Sequence, residues 1–187
     1  MEELLDVMFL GRGGQGAKTA AFIYSKSVAY AGFYVKAFPE YGPERTGAPV
    51  KAFVRISNKP VRLHCNVYNP DVFVLLDFSL FPIAQILNIE KAPIVLINAN
   101  EDEVLQIRNQ IKGRLFFVDA TKISLEEIGK NFPNVPLIGA LETILNKSSF
   151  DLLEKSLLEV SGAKWTKDLI EKNANALRRG MREIKEL

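Results

Sequence analysis

At 187 residues and 20.9 kDa, with 48% apolar and 25% charged residues, the chain can bury a hydrophobic core and has an ordinary globular profile. Its net charge of +2 includes no long tract of one sign, which speaks against non-specific nucleic-acid binding; its longest aliphatic and aromatic run, Val72 to Leu76, falls far short of the ~18 residues of a membrane span; and the acidic start MEELLDVMF lacks the base of a secretory signal. The single cysteine, Cys65, excludes an internal disulfide, a four-cysteine zinc site and an iron–sulfur cluster held by this chain alone.

Short apolar runs alternate with helical stretches, the pattern of an α/β protein with a mostly parallel sheet and helices on both faces. Leu5 to Leu10 reads as the first strand, ending in Gly11-Arg12-Gly13-Gly14-Gln15-Gly16. A helix follows over about Gln15 to Ala31, with Ala20, Ala21, Tyr24, Val28 and Ala31 on one face and Gly32 as its stop. Tyr34 to Phe38 is the second strand. Residues 39–49, PEYGPERTGAP, hold three prolines and two glycines, too many breakers for a regular element. Val50 to Ser57 alternates as a half-exposed strand near an edge. Val72–Leu76, Ile94–Ile97 and Leu115–Val118 are continuous apolar runs, expected of strands covered on both faces. Helices are expected near Ile83–Leu87, Glu103–Lys112, Leu137–Leu145, Phe150–Val160 and Lys167–Lys185. No linker divides the chain, so residues 1–187 read as one domain.

A strand, a glycine-rich turn and a helix present backbone N–H groups and a positive helix end to an anion. Gly11-x-Gly13-x-x-Gly16 has the dinucleotide-binding spacing in the matching context. A full fingerprint also needs an acid at the end of the second strand; here that strand ends Ala37-Phe38-Pro39, and the nearest acid is Glu40, beyond the proline. No Gly-Lys-Ser/Thr follows the glycines, so a Walker A loop is excluded. The glycines either approach an anion or simply pack strand against helix. Arg12 and Gln15 place a guanidinium and an amide at the same turn, where they could meet an anion or a partner's carboxylate.

Residues 45–70 carry Arg45, Lys51, Arg55, Lys59 and Arg62 and no acid. Lys51, Arg55 and Lys59 share one strand parity, either as a basic face for an acidic partner or as solvated charges that discourage edge pairing. In the loop, Glu44, Arg45, Thr46 and Gly47 lie between Pro43 and Pro49, with Tyr41 just before them, residue types suited to an interface anchor or to a stable turn with a local ion pair. His64 and Cys65 are adjacent, point to opposite faces of a strand, and read as structural. Asp77 and Asp119 end apolar strands and read as helix caps, and Trp165 as a packing anchor for the last helix. No Ser/His/Asp set, paired-carboxylate site or metal motif emerges.

The motifs GRGGQG, FPEYGPERTGAPV and VKAFVRIS, in this order, resemble the gamma subunit of 2-oxoacid:ferredoxin oxidoreductases. NPDVFVLLD at 69–77, VPLIGALETIL at 135–145 and the helix with Asn173, Ala176 and Gly180 extend the resemblance through the chain. The form Arg45-Thr46-Gly47, where related 2-oxoglutarate and indolepyruvate enzymes often carry Arg-Gly-Gly, is most similar to enzymes of pyruvate and 2-oxoisovalerate. The resemblance implies a Rossmann-like three-layer fold. It implies a cytoplasmic heterotetramer of anaerobic metabolism, with alpha, beta and delta partners. Thiamine diphosphate with Mg, 4Fe-4S clusters and coenzyme A would serve pyruvate oxidation, with ferredoxin as acceptor. This chain would hold none of the redox centres and no catalytic residue. Gly11, Arg12, Gly13, Gly14, Gln15 and Gly16, with Tyr41, Glu44, Arg45, Thr46 and Gly47, would face coenzyme A or a neighbouring subunit.

Overall fold

The computed structural model describes residues 4–40, 47–62, 67–161 and 165–187. Seven strands form one sheet: β1 (Leu4–Arg12), β2 (Tyr34–Pro39), β3 (Pro49–Ser57), β4 (Val72–Leu75), β5 (Ile94–Asn98), β6 (Arg114–Val118) and β7 (Lys185–Glu186), in spatial order β2-β3-β1-β4-β5-β6-β7. β1, β4, β5 and β6 run parallel at the centre. β3 lies antiparallel to both β1 and β2, and β7 antiparallel to β6. This is the expected α/β sandwich, with a parallel centre and antiparallel margins.

Strand alternation splits the core into two layers. Val7, Phe9, Val54, Val74, Leu96 and Val118 face one side, beneath α1 (Ala17–Tyr30), α4 (Ala120–Ile128), α5 (Asn134–Leu145), α6 (Phe150–Ser161) and α7 (Lys167–Glu183). Met8, Leu10, Phe53, Leu75, Ile97 and Phe117 face the other, beneath α2 (Phe81–Ile86) and α3 (Glu101–Ile107). The continuous apolar runs of β4, β5 and β6 follow from burial on both faces. Two elements have no counterpart in the periodicity reading. α4 is short and half polar, and β7 spans two exposed residues held by pairing of Phe116 with Glu186 and Phe117 with Lys185.

β3 lies next to the edge strand, yet it is not half exposed. Arg55 retains only 2% of its surface, and its guanidinium donates to both carboxylate oxygens of Asp6 at 2.7 and 3.1 Å. Asp6 is the register partner of Arg55 on β1. Lys51 pairs with Glu40 at 2.7 Å. The expected basic face is therefore largely neutralised within the chain. One strand's alternation shows parity, but it cannot show that a neighbouring strand sets a carboxylate opposite a charge.

α5 and α7 pack backbone to backbone. A methyl group on Gly180 would lie 2.0 Å from the carbonyl oxygen of Pro136, so no other residue fits without parting the helices. Gly180→Ala is expected to lose about 2–3 kcal/mol in urea unfolding, at the upper end of overpacking costs. Asp6→Ala, which strands a buried guanidinium, is expected to cost about 3–5 kcal/mol, whereas Lys51→Ala, breaking a half-exposed pair, should cost under about 1 kcal/mol.

Candidate functional site

The glycine turn sits where β1 delivers the chain into α1, beyond the carboxyl ends of the parallel strands, the usual ligand edge of such sheets. Gly16 caps α1 with a left-handed φ of 81°, and a methyl group there would meet Nδ2 of Asn134 at 2.6 Å. The turn closes on itself: the Arg12 amide donates to Oε1 of Gln15 at 2.8 Å, and the Gln15 amide to the Arg12 carbonyl at 3.0 Å.

The structure joins this turn to the end of the proline-rich loop. The β1–β3 ladder ends at Arg12 opposite Pro49 and is prolonged by Gly13 N donating to Ala48 O at 2.8 Å. Gly47 N donates back to Gly13 O at 3.3 Å. Arg12 Nη1 donates to Gly47 O at 3.1 Å. Gly11, Arg12, Gly13, Gly14, Gln15, Gly16 and Gly47 thus form one cluster. Tyr41, Glu44, Arg45 and Thr46 lie outside the described residues, as do His64 and Cys65.

A residue read only as a cap organises the cluster. Asp77, at the end of β4, caps a short helical turn by accepting from the Ser79 amide at 3.0 Å. Its other oxygen accepts from Gln15 Nε2 at 2.7 Å and pairs with Arg12 Nε at 3.2 Å, while Arg12 Nη2 donates to Ser79 Oγ at 2.7 Å. The carboxylate that Arg12 and Gln15 meet is therefore their own chain's. Burial pushes the Asp77 carboxyl upward, but the hydrogen bonds from Ser79 and Gln15 and the Arg12 charge together hold it below the ordinary aspartate value. The sequence showed Asp77 at a strand end; its contact with Arg12, 65 positions away, carries no local signal.

Beside this cluster a crevice of about 340 Å³ runs along the ends of β4, β5 and β6, lined by Gln15, Asp77, Asn98, Asn100, Glu103 and Asp119 among others. These six side chains are engaged internally. Asn98, unremarked in the sequence, donates to Leu76 O and Thr121 Oγ1, both at 2.8 Å, and accepts from Thr121 N at 3.0 Å. Asn100 and Glu103 form a capping box on α3, and Asp119 caps α4 from the Lys122 amide, as expected of it. Three carboxylates in one crevice repel a pyrophosphate. The ribose acid of a dinucleotide site is also displaced: β3 separates β2 from β1, which moves the end of β2 roughly 10 Å away at ordinary strand spacing. Glu40, just past it, is taken by Lys51.

Among known proteins, residues 6–183 match the family model described as pyruvate ferredoxin/flavodoxin oxidoreductase. The chain belongs to this family. It is 38% identical over 185 residues to pyruvate synthase subunit PorC of Thermotoga maritima, covering 98% of this chain and 96% of that one. It is 39% identical over 178 residues to the common subunit gamma of the pyruvate/ketoisovalerate oxidoreductases of Pyrococcus furiosus, covering 94% of each. The crystal structure of pyruvate oxidoreductase subunit PORC from Thermotoga maritima superposes with a TM-score of 0.81 at 36% identity over 98% of both chains. In this member of the family, the two most specific sequence motifs, GRGGQG and PERTGAP, meet at Gly13, Gly47 and Ala48.

The Asp77 cluster sets a pH dependence. A depressed carboxyl contributes its stability fully above the ordinary value of 3.8 and loses it as the pH falls through the lower folded value. Asp77→Asn should cost about 1 kcal/mol near pH 7, after discounting the part-exposed ion pair for solvent screening. The difference from wild type should shrink on acidification below the ordinary aspartate range, as read by urea midpoints at neutral and acidic pH.

Proposed function

We propose that this chain, a gamma subunit of a pyruvate:ferredoxin oxidoreductase, supplies a docking surface from the Gly11–Gly16 turn together with Tyr41, Glu44, Arg45, Thr46 and Gly47, and brings no reacting group of its own. The match to a PorC subunit across 98% of the chain carries the reading. The whole enzyme oxidises and decarboxylates pyruvate with coenzyme A, giving acetyl-CoA and electrons for ferredoxin. The archaeal relatives' shared role with pyruvate and ketoisovalerate favours 2-oxoisovalerate as a second substrate.

The donor set supports placing the cofactors elsewhere. A 4Fe-4S cluster needs four thiolates and the chain has one cysteine. Among the described residues no three His, Cys, Asp or Glu side chains gather to hold a metal ion. Following the family resemblance, we assign thiamine diphosphate with its magnesium, and the clusters, to the alpha, beta and delta subunits of a heterotetramer. Thiamine diphosphate, when bound, supplies the carbanion chemistry. No helix among the described residues is long and apolar enough to cross a membrane, in keeping with a cytoplasmic complex formed by one gamma domain spanning residues 1–187.

This chain's own part is positioning. The segment 41–46 leaves from Glu40, whose amide donates to Lys51 O at 3.0 Å, and returns at Gly47, held by Gly13 and Arg12. Fixed ends, with Pro43 and Pro49 on either side of Glu44–Gly47, reduce the entropy lost on docking. Tyr41 and Thr46 would contribute contact area. Arg45 would neutralise a coenzyme A phosphate or a partner carboxylate, with Glu44 ordering it. Arg45→Ala is expected either to weaken co-purification of the partner chains or to raise the KM for coenzyme A roughly tenfold or more, the scale of one charge-assisted contact. The check is anaerobic purification of the tagged complex and pyruvate- and coenzyme A-dependent reduction of a viologen dye. Unchanged assembly with unchanged coenzyme A kinetics would refute the role.

A further inference from the structure

β2 is an edge of the sheet, paired on one side only, with β3. None of its six residues is buried, whereas β3 is buried from Ala52 to Ser57. Two hydrogen bonds fix which of its main-chain groups face outward. Glu40 N donates to Lys51 O at 3.0 Å, so in this antiparallel ladder Tyr34, Lys36 and Phe38 also direct their N–H and C=O toward β3. Across β3, Gly13 N donates to Ala48 O at 2.8 Å, which gives the even-numbered residues of β3 to β1 and its odd-numbered ones to β2. Val35, Ala37 and Pro39 therefore point their main chain away from the sheet. Pro39 fits there because its missing N–H removes no internal bond. With the described residues, Val35 and Ala37 make no backbone hydrogen bond on that side.

A row of open N–H and C=O groups is a template for another strand. Val35 and Ala37 turn their side chains to the core layer under α1, and Phe38 to the opposite layer. On the α1 side an open groove of about 450 Å³ runs beside the edge, with Phe22, Val35 and Val160 in its wall. Phe22 and Val160 are exposed there. On the other side β2 carries its one charge, Lys36, and the strand has no acid.

The edge is unsuited to a second copy of itself. Antiparallel self-pairing through both open residues would join Val35 to the copy's Ala37 and set Lys36 directly against Lys36, a like-charge pair. Centring the pair on Ala37 would oppose Val35 to Pro39, which has no N–H to give. Centring it on Val35 would need the Phe33 N–H, which already donates to Val28 O at 3.3 Å.

We propose that β2 accepts an extended segment of a partner subunit as a further strand. Its apolar side chains lie over the Phe22–Val160 groove and alternate with acidic ones beside Lys36. The proposal rests on the docking role given to this subunit and enlarges that surface, because β2 runs directly into the segment that carries Tyr41, Glu44 and Arg45.

Hydrogen–deuterium exchange is followed in peptides spanning residues 33–40, for the isolated full-length chain and for the anaerobically purified complex. In the isolated chain the Val35 and Ala37 amides should exchange rapidly and those of Lys36 and Phe38 slowly. In the complex the Val35 and Ala37 amides should slow by about tenfold or more. Ala37→Pro removes an outward N–H and leaves the β2–β3 bonds in place, so it should weaken co-purification of the partner chains about tenfold. Lys36→Glu should weaken it as well. The wild-type exchange measurement carries the test should the Pro variant fail to fold. A complex in which Val35 and Ala37 exchange as fast as in the isolated chain overturns the proposal and leaves the docking role of Arg45 standing. Protection of both amides already in the isolated chain overturns it too, in favour of a second copy where the protection falls on dilution. Recovery of no complex at all would overturn both this proposal and the docking role on which it rests.

Discussion

The structure depends on the antiparallel ladder between β1 and β3. Nine register pairs run from Leu4 opposite Ser57 to Arg12 opposite Pro49. That length fixes the strand to the residue, because a one-residue slip would turn every core side chain outward. It would also part Asp6 from Arg55. Continued by Gly13 and Ala48, the ladder brings the end of the proline-rich loop against the glycine turn. By separating β2 from β1, β3 also takes away the neighbour that would supply a nucleotide-binding acid.

β1 carries a polar residue near each end, and each is matched by a charge from elsewhere. Asp6 meets the buried guanidinium of Arg55 in two-point contact. Arg12 meets Asp77, with Gln15 and Ser79 filling the remaining hydrogen-bonding sites. Buried or half-buried charges persist where every donor and acceptor is satisfied. The second pair turns the usual ligand edge of the sheet into a self-satisfied surface. That suits the docking role proposed for this subunit.

The later signatures have a steric basis. Gly180 allows α7 to reach the Pro136 carbonyl, and Asn173 and Ala176 lie buried along the same helix. This contact holds α5 near its start, two residues from Asn134. The position of the Asn134 amide beside Gly16 therefore depends on close packing between helices as well as on the glycine turn.

The sequence by itself determined the elements whose signal is local. The alternation of β1 and β3, the apolar runs of β4 to β6, the glycine stops around α1 and the caps at Asp77 and Asp119 all follow from period, side-chain volume and short-range hydrogen bonding. The ordered motifs determined the family. Tertiary structure alone decided that Arg55 is buried, that Arg12 and Gln15 share Asp77, that Gly47 is tied to Gly13, and that Asn134 Oδ1 has no hydrogen-bond partner among the described residues. Each of these is a pairing, or a missing pairing, between residues 30 to 120 positions apart. Periodicity reports which way a side chain points; only the strand order and helix packing determine what it meets.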